Sequence, residues 1–179
     1  MNLARLNPQR RHCTTLKIRE RATYCYLGEF VGLCRVLGRY GMFVDTQDRG
    51  LSPHLMLDGY WEIWVTEAIA SIVKPGMVCL DVGANLGYYT MLMAGLCGPT
   101  GRVHAFEPNP PIRALLNSSI AHNGFSWATS HQVALGDVDG QQMSLVRPAG
   151  EPKNAYLLPA TGHAHPDGLP VSTCRLDTN

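Results

Sequence analysis

Between Met77 and Leu135 apolar and polar residues alternate in two different rhythms. Short unbroken apolar runs, "MVCLDV" and "RVHAFE", are followed by longer stretches with helical spacing, "GYYTMLMAGLC" and "PPIRALLNSSIAHN", and the series closes on a third strand, "TSHQVAL". Asn109 is placed to cap the second helix, its two prolines fall in the first turn where a missing N–H costs little, and Gly124 follows its end. Strand, helix, strand, helix, strand at this spacing predicts a parallel sheet with right-handed crossovers. Upstream, "YGMFVDTQ" predicts a short strand. The stretch Tyr60–Val73 predicts an amphipathic helix whose stripe, Trp61, Trp64, Ile69 and Ile72, packs on the sheet and which Lys74-Pro75-Gly76 ends. Downstream of Gly136 the rhythm fades: "GDVDG" reads as a turn, "QQMSLVR" as a strand, residues 148–170 as a long surface loop rich in proline and glycine, and "PVSTCRL" as a last strand.

Composition narrows the class. The 179 residues fit one domain, and 45% hydrophobic content is that of a chain with a core to bury. Fifteen basic against fourteen acidic residues leave no electrostatic ground for nucleic acid as a partner. Eight of the basic residues lie within residues 1–40, which reads as a solvated basic arm, with contact to an anionic surface as the alternative. Six cysteines without regular spacing read as reduced thiols of a cytoplasmic protein. No apolar run is long enough to span a membrane, and the arginine-bearing start lacks the apolar core of a secretory signal. His163 and His165 alternate in "TGHAHPDG" but lack a third ligand, so no metal site is expected.

The chemistry concentrates in "VCLDVGANLGYYT". Gly83 permits a sharp turn after the strand, Asn85 tolerates left-handed dihedrals, Gly87 allows close packing of the next helix, and the N–H groups at that helix start favour an anion. The pattern is Asp-x-Gly-x-x-x-Gly rather than Gly-x-Gly-x-x-Gly. A carboxylate at Asp81 would repel a pyrophosphate and favour a cationic ligand, and S-adenosylmethionine carries both an ammonium and a sulfonium. Glu107, at the end of the second strand, stands where a ribose is held through its hydroxyls. A nicotinamide-dependent oxidoreductase is the runner-up. A non-catalytic remnant that binds a partner or an anionic surface is a third reading. Tyr88 and Tyr89 open a helix next to the glycine loop, where they could touch the cofactor, but they read as packing residues.

These stretches, with "GRVHAFEPNP", "LLNSSIAHNG", "VALGDVDG" and the upstream "LDGYWEIW", resemble the FkbM family of S-adenosylmethionine-dependent methyltransferases over Leu51 to Gly140. The resemblance implies an α/β fold, a class I methyltransferase (Rossmann-like) doubly wound sheet with an incomplete second half and an N-terminal mixed leader. It divides the chain into a basic leader, residues 1–50, and a partial methyltransferase domain, residues 51–179. It implies methyl transfer to a hydroxyl of a sugar, glycan or natural product. Asp81, Gly83, Asn85 and Gly87 would line the methionine and ribose part of the cofactor, and Glu107 would hold the ribose, with Pro108 shaping the turn. Gln132 and Val133 would lie by the adenine, and Glu62 matches the family's upstream glutamate. No residue is singled out as the base that takes the acceptor's proton, and no oligomeric state is implied. The family pattern continues with an acidic "KIDVEGAE"-like strand that these residues do not contain. The expectation is therefore a crevice walled on one side only, with weak cofactor binding, an apolar exposed edge on the first strand and no turnover by this chain alone.

Overall fold

A computed structural model describes residues 6–147, 155–159 and 168–177. Its elements in order are α1 (Arg11–Arg19), β1 (Tyr24–Gly28), β2 (Val31–Val36), β3 (Tyr40–Asp45), α2 (Ser52–Leu57), α3 (Ile63–Ile72), β4 (Val78–Val82), α4 (Tyr88–Cys97), β5 (Arg102–Phe106), α5 (Pro110–His122), β6 (Ala128–His131), β7 (Ala134–Leu135), β8 (Gln142–Val146), β9 (Tyr156–Pro159) and β10 (Gly168–Cys174). His163 and His165 lie outside the described residues. Among the described residues no group of three or more potential ligands could hold a metal, no helix is long and apolar enough to cross a membrane, and all six cysteines are unpaired.

The central sheet is parallel, in the order β4-β5-β6, with α4 and α5 as its crossovers. This is the Rossmann-like arrangement expected from the alternating rhythm. A monotonic order with right-handed crossovers puts both helices on one face, and the burial of β4 agrees. Cys79 and Asp81 are buried, whereas Val78, Leu80 and Val82 face outward at 67%, 44% and 61% exposure. Among the described residues β4 pairs only with β5, so the apolar edge expected of the first strand is present.

The leader is an antiparallel meander, β1-β2-β3, docked on the back of α5. Its outer strand would leave backbone groups unpaired, and α5 supplies the partners. The Gly41 N–H donates to Asn123 Oδ1 (3.1 Å), Asn123 Nδ2 returns a bond to the Gly41 carbonyl (2.7 Å), and the Phe43 N–H donates to Ser119 Oγ (3.0 Å). One apolar core runs from Leu6 through Met42 and Leu55 to Met91, Val103 and Leu116.

Three sequence expectations change. The helix expected from Tyr60 starts at Ile63, and its buried face is Ile63, Thr66, Glu67 and Ala70; Trp64 and Ile72 are 60% and 66% exposed. Positions 63, 66, 67 and 70 form one helical stripe, and its two polar members have partners. Thr66 Oγ1 donates to the Trp61 carbonyl (2.9 Å) and lies 3.0 Å from Tyr88 Oη, while Glu67 Oε2 accepts from Nε and Nη2 of Arg11 (3.0 and 2.6 Å). The strand expected over "TSHQVAL" is two: the chain leaves the parallel sheet after His131, and β7 joins a second sheet, β7-β10-β8-β9. The stretch 148–170, expected as loop, contains β9 and the start of β10.

Candidate active site

β4 delivers its chain to a turn in which Gly83 (φ +71°), Asn85 (φ +52°) and Gly87 (φ +92°) all adopt left-handed dihedrals. Asn85 is a residue type that visits this region at modest cost. Its side chain stabilises the turn by accepting the Leu86 N–H at 2.7 Å. The Gly83 and Ala84 N–H groups both donate to the Phe106 carbonyl (2.9 and 3.0 Å), which pins the turn to the end of β5. The two glycines serve different needs. A Cβ added at Gly83 would meet nothing within 4 Å, so the backbone faces open space there; at Gly87 it would collide with Leu116 Cδ1 of α5.

Asp81 turns inward. It is 8% exposed, and its Oδ2 accepts the Thr90 hydroxyl at 2.5 Å. The carboxylate thus occupies the start of α4, where the helix dipole favours negative charge and where the sequence suggested an anionic ligand. Burial pushes its carboxyl above the usual range, and the interaction with Thr90 opposes that rise.

Glu107, just past β5, is 8% exposed and is held by backbone donors on both oxygens: the Asn85 N–H at 2.8 Å to Oε2 and the Asn109 N–H at 2.9 Å to Oε1. A carboxylate offers about four acceptor positions, so capacity for hydroxyl donors remains. Its carboxyl is pushed up by burial, opposed by those two N–H groups, and raised further by the charge of Asp81. Asn109 sits at the cap position of α5, but its side chain makes no capping bond. Glu62 enters from the other side with a left-handed backbone (φ +35°) and accepts the Tyr89 hydroxyl at 2.7 Å. Burial, then this bond and the Glu62 charge, push the Tyr89 phenol upward.

Gly83, Asn85, Glu107, Pro108 and Val133 are brought together around a cavity of about 220 Å³ at the carboxyl ends of the parallel strands. Gln132 lies on the rim of a separate trough of about 780 Å³ on the uncovered face of the sheet, where Val133 also reaches. Asp81, Gly87 and Glu62 line neither, though Asp81 and Glu62 both act electrostatically on Tyr89. Glu107 holds the glycine turn at Asn85, Asp81 precedes it on β4, Glu62 meets Tyr89 of the helix that follows it, and no salt bridge among the described residues neutralises any of the three.

The far side of the smaller cavity is closed by Leu145 of β8 and Leu157 of β9. This departs from the expected one-sided crevice: on the Glu107 side the second sheet supplies a wall. Thr90 was not singled out in the sequence, and Tyr89, expected to pack, instead donates its hydroxyl to Glu62. No local signal marks either contact, because the side that Asp81 faces is set by the helices that cover the sheet, and Tyr89 meets Glu62 from a distant part of the chain.

A profile of the methyltransferase FkbM domain matches residues 81–177. The 31-O-demethyl-FK506 methyltransferase FkbM of Streptomyces tacrolimicus is 49% identical over 51 residues, covering 28% of this chain and 19% of that protein. The protein-L-isoaspartate O-methyltransferase of Aeropyrum pernix is 36% identical over 64 residues, covering 36% of this chain and 24% of that protein. The AMB antimetabolite synthetase AmbE of Pseudomonas aeruginosa is 41% identical over 64 residues, 34% of this chain and 3% of the synthetase. The chain thus spans less than a quarter of the length of each of these relatives. Among solved structures, a transferase of Pyrococcus horikoshii superposes with a TM-score of 0.50 at 19% identity, covering 65% of this chain and 41% of that one, a likeness of fold.

Proposed function

The chain belongs to the methyltransferase FkbM domain family, and from that premise we propose that its glycine turn and Glu107 hold S-adenosylmethionine for methyl transfer to a hydroxyl of a sugar, glycan or natural product. The observation that carries this reading is the Glu107 carboxylate, held by two backbone N–H groups at the mouth of the cavity with acceptor capacity to spare. That arrangement suits the vicinal hydroxyls of a ribose. The residues fit the rest of the group as well. The bare backbone at Gly83 faces open space, and the surplus of negative charge from Asp81, Glu107 and Glu62 favours a ligand with an ammonium and a sulfonium over one with a pyrophosphate. Pro108 and Val133 would border the nucleoside. Gly87 contributes by allowing α4 to start against α5, and Asp81 by fixing that start.

When bound, S-adenosylmethionine supplies an electrophilic methyl group on sulfur. The protein's part in such an in-line displacement is to position the acceptor oxygen and to relieve it of its proton. Glu62 is an acidic group beside the turn, and Tyr89 holds its carboxylate in place. Residues 51–179 carry the glycine turn, Glu107 and both cavity walls, and so form the methyltransferase part, in a cytoplasmic setting. The test is production of S-adenosylhomocysteine from S-adenosylmethionine across a panel of hydroxyl-bearing glycans and polyketides. Turnover with one of them supports the assignment. Absence of product from every acceptor, by this chain and by a form extended through the acidic strand, would refute it.

A further inference from the structure

The cavity at Glu107 draws its walls from two different sheets. One side comes from the ends of β4 and β5, the start of α5 and the segment after β6. The other comes from Leu145 and Leu157. These two leucines are directly opposed partners in the antiparallel β8–β9 pair. Side chains of opposed residues leave a sheet on the same face, so the pair reaches the cavity as one apolar surface. Their neighbours Ser144, Val146, Tyr156 and Leu158 leave by the other face, and Tyr156 and Leu158 are 48% and 38% exposed there.

The resulting cavity is amphipathic. Glu107 and Asn85 make one end polar, and Ile112, Val133, Leu145 and Leu157 make the remainder apolar. At about 220 Å³ it lies below the ~300–1,000 Å³ typical for drug-sized ligands. It therefore suits a flat apolar ring joined to a diol rather than a whole dinucleotide. The wall contributed by β8 and β9 offers no side-chain donor or acceptor, so it can press on the face of a ring but cannot read its edge.

We infer that the β8–β9 pair is the second wall of a nucleoside pocket, in which Leu145 and Leu157 cover the face of a purine base whose ribose lies at Glu107. The inference rests on the methyl-donor reading for the identity of the cofactor, but the wall itself would serve any purine nucleoside. Leu157 determines nucleoside affinity without touching the methionine portion.

The experiment titrates the chain with adenosine and, separately, with S-adenosylmethionine, comparing wild type with Leu157→Ser, Leu157→Trp and Leu158→Ser. Leu157 is half-buried and Leu158 exposed, so folding is expected to survive; urea midpoints verify it. Removing apolar contact from a binding pocket is worth on the order of tenfold or more. Leu157→Ser is expected to weaken both probes by about tenfold, leaving their ratio unchanged. Leu157→Trp, which fills the cavity, is expected to abolish both, and Leu158→Ser, on the opposite face, to change neither. Adenosine is also expected to slow amide exchange in residues 142–146 and 156–159. Equal binding by wild type and both Leu157 variants, with exchange in β8 and β9 unmoved, would overturn the inference while leaving the methyl-donor reading intact. Leu157-dependent binding of adenosine without binding of S-adenosylmethionine would do the reverse. Binding of neither probe by wild type would overturn both.

Discussion

Replacing each glycine of the turn by alanine separates backbone strain from packing. At Gly83 a Cβ would enter open space, so the cost is the left-handed dihedral alone (φ +71°), about 1–2 kcal/mol. At Gly87 (φ +92°) the same strain applies, and the new methyl would strike Leu116 Cδ1, with Thr90 Cβ 3.7 Å away. Leu116 is 0% exposed and has no solvent to swing into. Overpacking of a filled core adds about 1–3 kcal/mol, which brings Gly87→Ala to roughly 2–5 kcal/mol. That is a large part of the ~5–15 kcal/mol that keeps a domain folded. Leu116→Ala alone should cost about 2–5 kcal/mol through the cavity it leaves. In the double variant the added methyl moves into that cavity, so the two costs should fall short of their sum by about 1–3 kcal/mol. Urea titration followed by circular dichroism, fitted with a common slope, measures all four proteins. If Gly87→Ala is no more destabilising than Gly83→Ala, or if the double variant is additive, the close approach of α4 to α5 is not what this glycine provides.

Two further outcomes follow from buried carboxylates. Burial holds the Asp81 carboxyl above its ordinary range in the folded state. The folded protein thus keeps this proton more tightly than the unfolded chain, and the stability linked to it is present at low pH and lost as pH rises through that range. Asp81→Asn should accordingly gain stability relative to wild type at neutral pH, and the gain should fade toward about pH 4; urea midpoints at the two pH values check the sign, and a gain that grows on acidification would contradict it. Arg11→Met leaves Glu67, 3% exposed, without its cation and should lower the thermal midpoint clearly. Arg19→Met, which breaks the more exposed pair with Asp58, should barely move it.

The parts of the fold legible in the sequence were those where local rhythm and tertiary demand agree. β4, α4, β5 and α5 lie close to where alternation, capping residues and glycines place them, because each buries one face against its neighbour in the chain. Legibility failed where a distant partner decides. On α3, Trp64 and Ile72 were expected to pack on the sheet, yet they are left outside, while Thr66 and Glu67 turn inward to Tyr88 and Arg11. β9 was hidden by the proline- and glycine-rich stretch around it, and its pairing with β8 crosses a stretch in which no local rhythm marks a hairpin. For the site, the motif located Gly83, Asn85 and Glu107 at one cavity. It could not show that Asp81 turns toward Thr90, because the side a strand residue faces is set by which face of the sheet the helices cover.

The most direct test of the account is calorimetric titration of S-adenosylmethionine into the chain and into its Glu107→Gln variant. Wild type is expected to bind saturably, with displacement by 5′-methylthioadenosine, and binding is expected to weaken about tenfold or more when the Glu107 carboxylate is neutralised. An absence of saturable heat with wild type, or binding that Glu107→Gln leaves unchanged, would contradict it.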